Sequence, residues 1–320
     1  MGAHLPGVEL VDGSFPGGAA LLAGEPPVAW VLLDENPIGS FGSALVVAGR
    51  QGASSVEIVV DDADAAGVIA RRAALFAPPP RVWSVEGRSL VPTAPAAVPV
   101  PASSLPAPDL AELLVDADLE VVVEGGIVRG EVNGLEVARI VHGHTTVGEP
   151  IEEPLLEVGV GQADRELTGM LHGSLSPIDQ LGRAVEIVRS LRRAGAEPHP
   201  LNQLAPERWL RARLVADPGR LGLVRLRPIE GAVPRPNLRD RAVAVALGED
   251  AHGAAVVVAC SVGVDLDLVP AAADARLAID PDARLLLVVP ARDAHPVTRD
   301  LAARLADPAE VVALEGDWRL

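Results

Sequence analysis

The sequence predicts an α/β fold with mixed sheets, in which one strand-helix-strand-helix-strand unit occurs twice around a central β-hairpin segment. Three observations carry this. Apolar runs of strand length alternate with stretches of helical spacing at both ends of the chain. The pieces recur in the same order at nearly constant offset. Asn-Gly and Gly-Gly pairs in the middle separate short apolar strands.

In the first copy, Val28–Leu33 reads as a strand, a helix follows around Ser43–Arg50, and Val56–Val60 is the second strand. A helix over Ala65–Phe76 and a third strand ending at Val85-Glu86-Gly87 complete the unit. The second copy gives Ala254–Cys260, a helix over Asp265–Leu277, then Arg284–Val289, a helix over Val297–Leu305, and Val311–Leu314 before Glu315-Gly316. Residues 91–108, VPTAPAAVPVPASSLPAP, are too rich in proline for helix or sheet and read as an extended linker after the first unit, residues 1–90.

The central segment, residues 109–204, opens with a short helix, Asp109–Val115. Strands follow at Leu119–Val123, Ile127–Val132 and Leu135–Val141, with turns at Gly125-Gly126 and Asn133-Gly134. After a fourth strand, Leu155–Val160, the period becomes helical at Asp164–Leu171 and again at Ile178–Arg193, where Ser176-Pro177 supplies a start signal. The last unit, residues 205–320, begins with a helix over Arg208–Val215 and a strand at Ala242–Leu247.

Composition bounds the function. The net charge of −17 disfavours a general nucleic-acid surface, because such affinity rests on cations neutralising phosphate. All positive side-chain charge apart from histidine is arginine, since the sequence has no lysine. The single cysteine, Cys260, excludes an internal disulfide framework and sits in an apolar strand, as a buried structural thiol does. No apolar run reaches the roughly 18 residues of a membrane span, and the start lacks a signal-peptide pattern. A cytoplasmic protein with no membrane association is expected.

From Pro206 onward the order of elements resembles the restriction-endonuclease-like fold, the PD-(D/E)XK superfamily, and is most similar to nuclease domains of DNA-repair and junction endonucleases. The resemblance rests on Glu207 in PERWLRARL, an Arg-rich connection, and the hairpin RAVAVAL-GEDAHG-AAVVVACSVG followed by helix, strand, helix, strand. It covers a little over a third of the chain. It implies two carboxylates on a divalent metal and a lysine that activates water. Here Val243 takes the aspartate position, while Ala259 and Ser261 take those of Glu and Lys, so the matched unit reads as degenerate. Asp240 and Asp265 are nearby acids reachable only by a register shift. In the first copy Asp34-Glu35-Asn36 occupies the corresponding strand end.

Chemistry, if retained, is expected in the centre. Glu136 and Glu157 stand on two strands that would place them on one Mg²⁺ or Mn²⁺, with Asp164 and Arg165 at the following helix start as further catalytic candidates. The arginines Arg129, Arg139, Arg192 and Arg193 would line the cleft. Arginine is a poor substitute for a proton-sharing lysine, and solvated acids on amphipathic strands are the simpler reading. His142-Gly143-His144 with His172, the Gly159/Gly161 turn, and Arg292, Asp293 and His295 are weaker signals. Three functions follow: a non-catalytic or weakly catalytic nuclease-fold scaffold that binds a protein partner or itself; a metal-dependent nuclease using the central carboxylates; or an α/β module with a small ligand at the strand ends of the two repeats.

Overall fold

The apolar runs become the cores of three sheets in the computed structural model, which describes residues 11–100, 107–144, 150–161, 176–234 and 240–319. The first sheet takes its strands in chain order: β1 (Val11–Phe15), β2 (Gly18–Ala23), β3 (Val28–Leu33), β4 (Ser55–Val60), β5 (Arg81–Glu86) and β6 (Ser89–Pro92). β1–β2–β3 are antiparallel neighbours, whereas β3–β4–β5 are parallel. Parallel pairing needs crossovers, supplied by α1 (Pro37–Arg50) and α2 (Ala63–Ala73). The architecture is α/β with mixed sheets.

The central sheet is antiparallel, in the order β10-β9-β8-β7: β7 (Glu120–Glu124), β8 (Ile127–Val132), β9 (Leu135–His144) and β10 (Pro150–Val158). Its hairpins turn where the sequence places them. Gly125, Gly126, Asn133 and Gly134 all have positive φ, as tight two-residue turns between strands require. One apolar face of this sheet, including Val128, Val132, Leu135 and Ile140, packs on α3 (Pro108–Asp116) and α4 (Pro177–Leu191). Ser176 caps α4 through its hydroxyl, which accepts from the Asp179 N–H at 3.1 Å.

After α5 (Pro206–Ala216) the last sheet runs β11 (Leu223–Ile229), β12 (Ala244–Asp250), β13 (Ala255–Cys260), β14 (Arg284–Pro290) and β15 (Glu310–Leu314). α6 (Leu268–Ile279) and α7 (Pro296–Ala303) make its crossovers. β11–β12–β13 are antiparallel and β13–β14–β15 parallel, the same senses in the same order as β1 to β5. Both faces of this sheet are covered, so its strands read as continuous apolar runs. Val245, Val257, Leu285 and Leu287 face the crossover helices, while Ala246, Val256, Val258 and Leu286 lie under Trp209, Leu210 and Leu214 of α5.

The first and last sheets share one core. It runs from Val31 and Ile58 through Phe41, Leu45, Ile69 and Phe76 to Leu268, Val269 and Leu301, and on to Val257 and Leu287. The helices between them are rich in Ala and Gly, which lets backbones approach closely. At Gly42 of α1 an added Cβ would lie 2.0 Å from the Leu266 carbonyl oxygen, so only glycine fits.

An antiparallel bridge joins Phe76 to Leu305. The Ala77 N–H donates to the Arg304 carbonyl at 2.9 Å and the Ala306 N–H to that of Leu75 at 2.8 Å. Phe76 follows α2 and Leu305 follows α7, so the bridge ties the first unit to the last. The proline-rich segment starts as the end of β6, at Val91-Pro92, and is anchored as far as Ala97. Its Ala96 N–H donates to the Gly67 carbonyl at 2.8 Å, and the Ala97 carbonyl accepts from Arg71 at 2.8 Å.

Candidate functional site

Parallel strands deliver their C-terminal ends to a common rim, where open α/β sheets bind ligands. β13 ends at Cys260, and the chain turns through residues 261–267 before α6 begins. Gly263, at φ +86°, makes the turn and donates its N–H to Asp293 Oδ2 at 2.8 Å. β3 ends in the same region, and Asn36 (φ 47°) accepts from the Gly39 N–H through its side chain at 3.4 Å, capping α1. Between these two strand ends, the segment leading into β12 and the start of α5 lies a cavity of about 560 Å³.

Its apolar wall includes Ile38, Val243, Val245 and Ala271, and its charged wall Asp240, Asp265, Asp267, Arg72 and Arg241. Glu124, Glu230 and Arg208 line the side toward the central sheet. Asp240 and Asp265, set aside in sequence as a register shift away, therefore line the same cavity as Val243. Asn36, from the strand end that the sequence marks in the first copy, lines it too; Arg72 and Asp267 are not among the sequence candidates. The available signal was the Arg71-Arg72 pair inside an otherwise Ala-rich helix, which needs buried carboxylates to face.

Those carboxylates come from the last unit. Arg71 holds Asp274 in a fork, with Nε to Oδ1 at 2.7 Å and Nη2 to Oδ2 at 3.0 Å. Arg72 bridges Asp274, with Nε to Oδ2 at 3.2 Å, and Asp267, with Nη1 to Oδ2 at 2.9 Å. Asp265 Oδ1 accepts the Asp267 N–H at 3.0 Å, and Arg241 Nη1 donates to the Val264 carbonyl at 2.8 Å. Burial raises the Asp265 carboxyl, against the Asp267 N–H and Arg241, which pull it down. Asp267 is pushed up to about 7, because burial outweighs the attraction of Arg72 and neighbouring Asp265 adds repulsion. Arg72, shared by two carboxylates, is raised despite its burial.

A carboxyl raised by folding keeps its proton to higher pH in the native state than in the unfolded chain. Asp267 therefore contributes stability at acid pH that is lost as pH rises from the ordinary carboxylate range to about 7. Unfolding free energy measured between pH 5 and 8 is expected to fall less steeply in Asp267→Asn than in the parent, with the remaining slope carried by the other raised carboxyls, Glu120 and Asp265. An unchanged slope would assign no titration to Asp267.

The centre is differently arranged. Glu136 pairs with Arg129 on the neighbouring strand, and Glu157 Oε2 accepts from Arg139 Nε at 2.7 Å. Glu157 stands opposite Arg139 in the β9–β10 register, three residues along β9 from Glu136. Each carboxylate thus has its own arginine. Asp164 and Arg165 lie outside the described residues, as does His172. Among the described residues no group of three or more potential metal ligands converges. Of the arginines expected to line a cleft, Arg192 is fully buried and donates to the carbonyls of Asn133, Leu201, Leu204 and Ala205, while Arg193 bonds the Ser190 carbonyl.

Beside the central sheet lies a second buried network. Glu131 is fully buried and receives Arg208 at 2.6 Å and Arg211 at 2.7 Å, both from α5. Its carboxyl is lowered, the two guanidiniums overcoming burial. Glu120, opposite Glu131 in the β7–β8 register, is pushed up to about 7 by burial. Cys260 is pushed up to about 12 by burial, as suits an inert thiol.

No family model matches this chain, and comparison with curated proteins and with solved structures finds no match. Function rests on the geometry. Among the described residues no helix is long and apolar enough to cross a membrane.

Proposed function

We propose that the chain is a non-catalytic scaffold that binds a small ligand in the cavity between its two α/β units. The observation that carries this is the cavity itself: about 560 Å³ at the ends of β3 and β13, within the range of small-molecule sites. Its wall mixes an apolar floor with a few fixed polar groups, which is how such sites orient a ligand. The shared strand order and pairing senses of the first and last sheets support a duplicated unit. The hairpin-then-crossover order from α5 onward supports descent from a restriction-endonuclease-like fold. Where that fold would carry its metal-binding acid on the hairpin, this chain has Val243 and Val245 facing the cavity side.

The nuclease reading places a metal on Glu136 and Glu157, and the arginine bound to each of them weighs against it. A metal would have to displace both ion pairs.

The test has two arms. Purified protein is screened for ligand-induced thermal stabilisation with nucleosides, nucleotides, amino acids and small organic acids and amines. The hits are repeated on Val243→Trp, which fills the cavity, and on Asp265→Asn. Stabilisation lost in Val243→Trp supports the reading. In parallel, Mg²⁺- or Mn²⁺-dependent cleavage of single-stranded, duplex or branched DNA or of RNA, abolished in Glu136→Ala/Glu157→Ala, would overturn it in favour of a nuclease.

A further inference from the structure

Two of the helix contacts that join the first and last units are α2 against α6 and α1 against α7. The first is closed by Arg71, Arg72, Asp267 and Asp274. The second leaves a depression of about 410 Å³. Leu45 and Val46 of α1, with Val297 and Leu301 of α7, give it an apolar lining.

Its cations are Arg50 and Arg304, with His295 alongside; Asp300 is its one carboxylate. Arg304 is half-buried and stands apart from the buried arginines. Arg71, Arg72, Arg208 and Arg211 each meet a buried or half-buried carboxylate, and Arg192 meets four carbonyls. Among the described residues, the Arg304 side chain makes one hydrogen bond, from Nη1 to the Leu45 carbonyl at 3.1 Å, and no ion pair. Burial without a compensating carboxylate lowers its pKa. Gly49 borders the guanidinium, since a Cβ added there would lie 3.4 Å from Arg304 Nη1.

We propose that the α1–α7 depression binds a small organic carboxylate, with Arg304 and Arg50 on its oxygens and its hydrocarbon part against Leu45, Val46, Val297 and Leu301. A guanidinium with unused donors matches a carboxylate in a fork. Two arginines against one aspartate leave a formal excess of one positive charge, which suits a monoanion. The apolar walls favour a ligand with a hydrocarbon tail over inorganic phosphate. The site is separate from the cavity at the strand ends, so the two assignments stand or fall apart.

The experiment is an NMR titration of the full chain with hexanoate, following the amides of Gly49, Val297 and Leu301 and the Nε–H of Arg304. Hexylamine and inorganic phosphate serve as comparison probes. Saturable shifts with hexanoate, weakened about tenfold or more in Arg304→Gln as loss of a charged hydrogen bond implies, are expected. Gly49→Val narrows the depression without removing a charge and should weaken binding as well, with thermal unfolding confirming that both variants are folded. The proposal is overturned by no shift at millimolar hexanoate, by equal response to hexylamine or phosphate, or by unchanged affinity in Arg304→Gln.

Discussion

Asp274→Ala is expected to cost about 3–5 kcal/mol of unfolding free energy, the range for removing one partner of a buried ion pair. Asp274 is fully buried and is the shared acceptor of Arg71 and Arg72, themselves only 5% and 3% exposed. Among the described residues, the variant strips Arg71 of its one carboxylate partner and leaves Arg72 with Asp267. The loss would come mainly from stranding the Arg71 guanidinium between α2 and α6, so it should be recovered in large part when Arg71 is also made methionine. Chemical denaturation of the parent, the single variant and the double variant measures this. A loss below about 1 kcal/mol in Asp274→Ala would mean that water reaches the pair and screens it.

Glu131→Ala should be as costly, about 3–5 kcal/mol, because it leaves Arg208 and Arg211 of α5 without their common carboxylate. Here a reserve exists. Glu120 sits opposite on β7, kept up at about 7 partly by the negative charge of Glu131. Without Glu131 its carboxyl falls toward the ordinary range and takes over part of the pairing with Arg211. The double variant Glu120→Gln/Glu131→Ala is therefore expected to lose more than the sum of the two single changes. A double-mutant cycle measures that coupling, and strict additivity would refute the compensation.

What the sequence shows of this molecule divides along physical lines. The hairpins at Gly125-Gly126 and Asn133-Gly134 were legible because positive φ at both turn positions is a local demand that few residues meet. The start of α4 was legible from Ser176-Pro177 for a similar reason. The crossover strands announced themselves through continuous apolar runs, as strands buried on both faces do. Residues 223–229 read as an Arg-rich connection but form β11, an edge strand. Arg225 and Arg227 alternate with Leu226 and Pro228, and an edge tolerates both outward charge and proline. β1 and β2 were missed because their short, glycine-bearing sequences carry little strand signal.

The site was less legible because its contacts are distant in the chain. Arg72 reaches Asp267 and Asp274 across 195 and 202 residues, and no local pattern encodes such a meeting. The reading of Glu136 and Glu157 as metal ligands took two acids on adjacent strands as convergent. Cross-strand arginines are the competitor that this spacing argument leaves out: Arg129 and Arg139 sit in ladder positions from which each reaches one of the acids.

Cys260 gives the molecule a built-in clock. It is the only thiol in the chain, fully buried at the end of β13 and held almost wholly protonated. A thiol reagent can label it only during excursions in which the last sheet parts from α5. The labelling rate therefore counts those openings, and its change on adding a ligand reports directly how firmly that ligand holds the fold shut.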